Sequence, residues 1–229
     1  MNILKIDNAA FLSFIASFAA VAMILITFVI FEPVIGRAAT DEFIITQTIT
    51  GEVSFKTAAS DVSLGPAIQG LTGGVRNGAT YVVITTNDTN GYNLTIAFSN
   101  SAAMQRNGGG GDIPDYVTAV AGFADFVFDS TKPYGQFGYT VSASTTADLD
   151  LSFRNDGASC NSTGGGEVAA SCWMNPSTTA ETIVNRSSAT PAGGSTTTLH
   201  FRVDVPPNPV PAISTGVYTA TATLTAVTN

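Results

Sequence analysis

The chain carries little charge, and the charge that it carries is mostly negative. Lys, Arg, Asp and Glu together make up 11% of the 229 residues, and 17 acidic residues outnumber 9 basic ones, for a formal net charge of −8 at pH 7. The basic residues form no cluster in the sequence. Because phosphate backbones are bound by clustered Lys and Arg, we expect no nucleic-acid partner. The same balance disfavours peripheral binding to anionic lipid.

Residue types that carry out catalysis are also scarce. His200 is the single histidine, and the chain contains no Gly-x-Ser-x-Gly motif. His200 lies between two apolar residues on the polar face of a predicted strand, a pattern typical of a solvated histidine. Carboxylates for glycoside hydrolysis are available as Asp148/Asp150 and Asp112/Asp115, but nothing in these local pairs sets the separation that such enzymes need. We therefore expect that the protein is not an enzyme, and a secreted hydrolase is the least favoured of the alternative functions.

Four oxygen-bearing side chains lie close together in the sequence: Asp148, Asp150, Asn155 and Asp156. Carboxylate and amide oxygens are the ligands of Ca²⁺, which extracellular modules bind in loops. The spacing matches no twelve-residue calcium loop, so these residues are a weak calcium candidate. No other metal or cofactor is predicted.

Cysteine is limited to Cys160 and Cys172. In an exported domain, two cysteines most simply form a disulfide. A metal-binding pair is the alternative, but no further Cys or His lies at ligand spacing. We therefore predict a disulfide between these two residues, holding a glycine-rich loop.

What the sequence does contain is one long apolar run, residues 9–31, interrupted only by serine and threonine. As a helix it would rise ~1.5 Å per residue and measure roughly 34 Å, enough to cross a bilayer core of about 30 Å. Residues 1–39 are therefore a membrane anchor or a signal peptide. The length of the run favours an anchor, whereas small residues near Ala38, after the helix-breaking Pro33, favour cleavage by a signal peptidase.

The charges that flank the apolar run predict its orientation. Lys5 precedes the run, whereas Glu32, Asp41 and Glu42 follow it. By the positive-inside tendency the N-terminus is cytoplasmic, and residues 40–229 form a domain on the cell surface or outside the cell. The run is then the membrane contact of the protein.

Residues 40–229 have the pattern of one antiparallel β domain. Short segments of alternating apolar and polar residues are separated by Gly, Pro and Asn turns, without an amphipathic helix. We predict an all-β fold, an antiparallel β-sandwich of immunoglobulin-like or jelly-roll topology, preceded by one N-terminal hydrophobic helix. Strands are predicted at residues 42–50, 53–57, 80–86, 92–98, 137–141, 182–185, 199–205 and 218–226.

Two of these strands are predicted to pair with each other. Residues 80–86 and 92–98 flank Asn90 and Gly91, which tolerate positive φ where a chain reverses. This turn signal predicts a β-hairpin.

Several sequence runs carry a resemblance to other exported proteins. They are TTNDTNGYNLTI (85–96), YTVSASTTADLDLSF (139–153), CWMNPSTTAETIVNRSSAT (172–190) and the closing FRVDVPPNPVP and GVYTATATLTAVTN. Over most of residues 42–229 the chain resembles uncharacterised exported surface proteins of small-genome, candidate-phylum bacteria, and more loosely the sandwich domains of bacterial adhesins and pili. The resemblance implies an extracellular β-rich protein on a membrane leader, with no assigned activity or site.

These features favour a non-enzymatic structural or adhesive protein of the cell surface, with self-association, a glycan or a host-cell surface as its partner. The alternative is a subunit of a surface filament or pilus that assembles by strand donation. In that hypothesis residues 42–50, just beyond the apolar run, add to the open sheet edge of a neighbour.

Overall fold

The computed structural model describes residues 8–30 and 42–229. The chain separates into two compact units, with the boundary between Thr48 and Ile49. The first unit contains a helix, and the second contains the strands of the described residues.

Helix α1 (Asn8–Ile30) coincides with the predicted apolar run. Its window Phe11–Phe28 has a mean hydropathy of 2.4, and none of that window is buried. With ~1.5 Å rise per residue the helix measures roughly 34 Å, so it is long and apolar enough to cross a membrane. A signal sequence meets the same criterion. The predicted boundary after residue 39 and the predicted cleavage near Ala38 lie outside the described residues.

The second unit is an antiparallel β structure, as predicted. Its strands are β1 (Val53–Thr57), β2 (Gly74–Thr86), β3 (Tyr92–Phe98), β4 (Met104–Arg106), β5 (Asp112–Ile113), β6 (Gln136–Ala143), β7 (Glu181–Arg186), β8 (Ser195–Val205), β9 (Tyr218–Thr219) and β10 (Ala222–Thr228). They form a four-stranded sheet in the order β1-β2-β8-β6, an opposing sheet in the order β10-β3-β7 and a small sheet in the order β5-β4-β9. Two short 3-10 helices, Thr146–Asp148 and Leu151–Phe153, lie between β6 and β7.

The main core lies between the four-stranded sheet and the opposing sheet. Every second residue of β3 is buried, beginning with Tyr92 and Leu94, because successive side chains of a strand point to opposite faces. Phe98, at the end of β3, reaches β6, where its ring centroid lies 6.0 Å from that of Phe137 and 5.4 Å from that of Tyr139. The result is a sandwich-like fold with an aromatic centre.

The predicted hairpin is wrong in its pairing, although both strands and the turn are present. Gly91 N donates to Asp88 O at 3.0 Å, and Asn90 N donates to Asp88 Oδ1 at 2.8 Å. However, β2 pairs with β1 and β8, whereas β3 pairs with β10 and β7. Residues 87–91 therefore form an arch that carries the chain from one sheet to the other, because each strand has a longer-range partner.

The predicted strand at residues 42–50 is also wrong, because these residues belong to no strand of the described structure. Phe43, Ile44, Ile45 and Ile49 are each at least 80% exposed. Their residue types favour a pleated, half-buried strand. The segment thus has the composition of a strand without a sheet around it.

The predicted final strand is divided between two sheets. β9 pairs with β4 of the small sheet, and β10 pairs along its whole length with β3. Leu224 and Ala226 of β10 pack on the main core, whereas Thr223 and Thr225 are exposed. The alternation of this strand is therefore confirmed for residues 223–228, whereas Ala222 at its start is exposed.

Candidate functional site

The predicted disulfide between Cys160 and Cys172 is present, with the two Cα atoms 5.6 Å apart. Cys172 is completely buried, whereas the glycines at 164–166 between the two cysteines are exposed. The bond therefore ties an exposed, glycine-rich loop to the buried part of the unit. Because disulfides persist in oxidising compartments, this bond is typical of an exported domain.

The first two calcium candidates are engaged in separate interactions. Asp148 is buried and pairs with Arg186, whose Nη1 lies 2.5 Å from Asp148 Oδ2. Asp150 caps the following 3-10 helix, since its Oδ1 accepts hydrogen bonds from Ser152 N at 2.9 Å and from Ser152 Oγ at 2.6 Å. These carboxylates therefore serve local structure and do not share a ligand-binding geometry.

The other two calcium candidates order the disulfide loop. Asn155 Oδ1 accepts a hydrogen bond from Val168 N at 2.7 Å, and Asn155 Nδ2 donates to Val168 O at 3.0 Å. Asp156 Oδ1 accepts from Ser159 N at 2.7 Å and from Ala158 N at 2.9 Å, and these bonds lower the pKa of Asp156. Across residues 8–30 and 42–229, no three His, Cys, Asp or Glu side chains are grouped as metal ligands. Calcium binding stays a prediction.

The second carboxylate pair considered for glycoside hydrolysis is divided in the same way. Asp112 is exposed on β5, whereas Asp115 Oδ1 accepts a hydrogen bond from Ala103 N at 2.8 Å. Burial raises the pKa of Asp115, and the bond from Ala103 opposes that rise. The two carboxylates therefore lie in different environments. Asp115 has a structural role, which is to accept the hydrogen bond from Ala103 N.

His200 is half-buried, which corrects the expectation that it is solvated. Its Nε2 lies 3.0 Å from Ser142 Oγ on the neighbouring strand β6, and burial lowers the pKa of His200 below its usual 6.5. A serine nucleophile requires a base that a third group orients. Among the hydrogen bonds of the described residues, none joins a carboxylate to this histidine, so the pair has no further element of a triad.

A second small core packs on the outer face of the four-stranded sheet, beside Gly138 of β6 and Arg202 of β8. Tyr116, Phe128 and Trp173 form this outer cluster, with ring centroids 4.3 Å apart for Tyr116 and Phe128 and 5.3 Å apart for Phe128 and Trp173. The guanidinium of Arg202 on β8 lies 4.8 Å from the Phe128 centroid, a cation–π distance. The three rings are at least 95% buried, so the outer cluster supports the sheet and offers no aromatic surface to a ligand.

One side of the sandwich has its sheet edges covered by loops. At β6, Tyr139 exchanges two backbone hydrogen bonds with Met174, and Phe137 N donates to Pro114 O at 2.9 Å. At β7, Ile183 O accepts a hydrogen bond from Asp150 N at 3.0 Å. The outer edges of β6 and β7 are therefore occupied.

The other side of the sandwich has two open edges. In the described part of the chain, β1 pairs with β2 alone, and β10 pairs with β3 alone. Beside β10 a groove of about 310 Å³ runs into the main core. Residues 59–62 and Leu64, which follow β1, line one wall, and residues 220–222 and Leu224 line the other. Phe98, Leu199 and Phe201 line its interior. Sequence reasoning missed this groove, because it depends on which strands pair.

On this open side, the residues just before β1 are held by two hydrogen bonds of the side chain of Asn87, which lies in the arch. These two bonds are called the Asn87 clamp. Asn87 Oδ1 accepts a hydrogen bond from Glu52 N at 2.7 Å, and Asn87 Nδ2 donates to Thr50 O at 3.2 Å. Gly51 lies between these contacts so close to Asp88 that a Cβ atom would be 2.4 Å from Asp88 Oδ2. The Asn87 clamp therefore holds residues 50–52 where the exposed segment joins β1.

Neither the protein-family models nor the curated proteins compared with this chain give a match. The function is therefore inferred from the helix, the disulfide, the open side of the sandwich and the exposed segment.

Proposed function

We propose that this chain is a non-enzymatic structural or adhesive protein of the cell surface. In this proposal helix α1 holds the protein in the cytoplasmic membrane with its N-terminus inside, and the sandwich lies outside. The combination of an unburied apolar helix with a disulfide-bonded β unit supports it, since the helix needs lipid and the disulfide needs an oxidising compartment. The resemblance to exported surface proteins supports the same location.

The surface of the unit is suited to contact without catalysis. Thr219 of β9 and Thr223 and Thr225 of β10 are exposed, so these strands present hydroxyl groups rather than charge to solvent. Of the groups considered for a hydrolase, Asp148, Asp150, Asp115 and His200 are engaged in local contacts. A partner that accepts and donates hydrogen bonds, such as a glycan, is compatible with this surface.

The location is tested on intact cells that carry the full chain. Added protease is expected to cut the sandwich while the cells remain closed, and mass analysis of the membrane fraction is expected to give an uncleaved N-terminus. A chain that begins near residue 39 and appears in the medium would replace the anchor by a signal peptide. A unit protected from protease until lysis, or free thiols at Cys160 and Cys172 in freshly lysed cells, would overturn the proposal.

A second candidate function is a subunit of a surface filament or pilus assembled by strand donation. The observation that favours it is the exposure of at least 80% at each of Phe43, Ile44, Ile45 and Ile49, next to the start of β1. In this proposal the exposed segment is covered when it joins the sheet of a neighbouring copy. Deleting residues 42–50 from the full chain in detergent micelles is expected to abolish its polymers, and polymers that survive would contradict it.

A further inference from the structure

We infer that residues 43–50 of one copy pair with the open edge of β10 in a second copy and insert their apolar side chains into its groove. This inference rests on the second candidate function and adds the acceptor surface. Four observations support it: the donor pattern, the lack of protection on one edge, the shape of the groove, and the clamp before β1.

The donor segment, defined as residues 43–50, has the alternation of a half-buried strand. Phe43, Ile45 and Ile49 share one face, and the opposite face is mainly threonine. At about 3.3 Å per residue the segment spans about 26 Å, similar to the length of about 23 Å for β10 (Ala222–Thr228). The donor segment therefore has the length and the two-faced pattern needed to extend the opposing sheet by one strand.

The exposed edges differ in how they are protected against pairing. Natural edge strands are commonly blocked by charged side chains, proline or a bulge. β1 has two of these devices, since Lys56 lies in it and its register shifts between Phe55 and Thr57. β10 (Ala222–Thr228) contains neither a charge nor a proline, and its register with β3 is continuous. Since loops occupy the outer edges of β6 and β7, β10 is the edge best suited to accept a strand.

The groove beside β10 offers the space that an added strand would need. Its volume is about 310 Å³. Residues 220–222 and Leu224 line one wall, so a strand on the edge of β10 would place its inner face over Phe98 and Leu199. The other lining residues include Ser60, Asp61 and Thr80, so Phe43 and Ile45 would pack on the apolar part of the groove. The threonine face would remain in solvent with Thr223 and Thr225.

The Asn87 clamp and the exposure of the donor segment together favour a second copy as the acceptor. While Asn87 bonds Glu52 N and Thr50 O, Phe43, Ile45 and Ile49 are each at least 80% exposed. The sandwich of the same copy therefore does not cover the donor face. Donor and acceptor are different surfaces, so the contact is head-to-tail and repeats into a ring or an open filament.

The requirement for the donor face is tested with two matched variants of the full chain in detergent micelles. Ile45→Asp places a charge on the inner face, and Thr46→Asp places the same charge on the outer face. Because a buried unpaired charge is strongly disfavoured, Ile45→Asp is expected to lower the assembled fraction at least tenfold, and Thr46→Asp is expected to have little effect. Both positions lie outside the sandwich strands, so neither variant should impair folding.

The acceptor edge is tested by cross-linking between two differently tagged full-length copies. One copy carries Thr46→Cys, and the other carries Thr223→Cys, Thr225→Cys or Val227→Cys on β10, or Ser54→Cys on β1 as the control edge. The native cysteines are bonded to each other, and the described residues contain no free thiol. We expect a mixed disulfide with at least one β10 position and none with Ser54→Cys.

The outcomes separate the acceptor from the function on which it rests. Assembly that persists in Ile45→Asp would overturn strand donation itself. Assembly lost in Ile45→Asp but cross-linked only at Ser54→Cys, or lost without any cross-link to β10, would overturn β10 as the acceptor while leaving donation in place. A chain carrying both Thr46→Cys and Thr225→Cys that closes only on itself would overturn the second copy as the partner.

Discussion

The two sides of the sandwich differ in how their sheet edges end. On the side of β6 and β7, the long connections between strands return to the edges and bond to them, as Met174 does with Tyr139. On the side of β1 and β10, the strands end the sheets, and a groove beside β10 runs into the core. The comparison indicates that connections between strands protect one side, while on the other side the outer edges of the described strands β1 and β10 have no strand partner.

The largest effect is expected from a residue that both sides share. Phe98 contacts the rings of Phe137 and Tyr139 and also lines the groove. Phe98→Ala should lower the free energy of unfolding by about 3–5 kcal/mol, because it removes a buried ring and leaves a cavity. Phe55→Ala on β1, where the residue is 38% exposed, is the control and should lower the free energy of unfolding by less than Phe98→Ala does. Equal losses in denaturant titration would contradict a shared core at Phe98.

The covered side is tested by removing its covalent bond. Replacing both Cys160 and Cys172 with serine should lower the free energy of unfolding by about 3 kcal/mol in the chain-entropy model. Thr163→Ala, at an exposed position in the same loop, should change it by less than about 0.5 kcal/mol. Because the bond lies away from the groove, the folded double variant should still assemble. If the double variant lost assembly while its free energy of unfolding stayed the same, the disulfide would act on the open side, contrary to this prediction.

The open side is tested at the Asn87 clamp. Asn87→Ala removes both hydrogen bonds to residues 50–52, which together contribute about 1–2 kcal/mol to local order. Amide exchange at Glu52 should therefore accelerate roughly tenfold. Asn87→Asp keeps the acceptor for Glu52 N and loses the donor to Thr50 O. In this variant the amide exchange rate at Glu52 should lie between the rates of the unchanged protein and of Asn87→Ala. Unchanged exchange in Asn87→Ala would mean that other contacts hold this segment.

The smallest effect is expected for the pH dependence of the free energy of unfolding, to which His200 contributes. Burial lowers the pKa of His200 from its usual 6.5, so below pH 6.5 the unfolded chain binds more protons than the folded chain. His200 thus contributes stability that is present above that pH and is lost as the pH falls toward the folded pKa. His200→Gln should flatten this slope in denaturant titrations between about pH 7 and about pH 5. A slope that persists unchanged would assign the effect to another group.

Local pattern was sufficient to predict much of the fold. The alternation of Tyr92, Leu94 and Phe98 identifies a strand and its buried face, because a strand has a period of two residues. Helix α1 and the disulfide were predictable for similar reasons, one from the length of an apolar run and the other from the isolation of two cysteines.

Pairing partners were not predictable from local pattern. The turn at Asn90 and Gly91 is present, but a turn signal does not distinguish a hairpin from an arch between sheets. His200 was predicted to be solvated because alternation describes one face of one strand. The outer cluster on the same face of the sheet is assembled from Tyr116, Phe128 and Trp173, which come from separate parts of the sequence. The groove has the same origin, since its two walls, the segment that follows β1 and the start of β10, lie far apart in the sequence.

The absence of charge from β10 has a consequence for the setting in which the protein works. Neither residues 43–50 nor the strand Ala222–Thr228 contains an ionisable side chain. Dissolved ions weaken attraction between charges but leave backbone pairing and apolar contact largely intact. A joint built from these two segments would therefore hold equally well in fresh water and in brine, an advantage for a protein on the outside of a cell, where the surrounding medium is not under the cell's control.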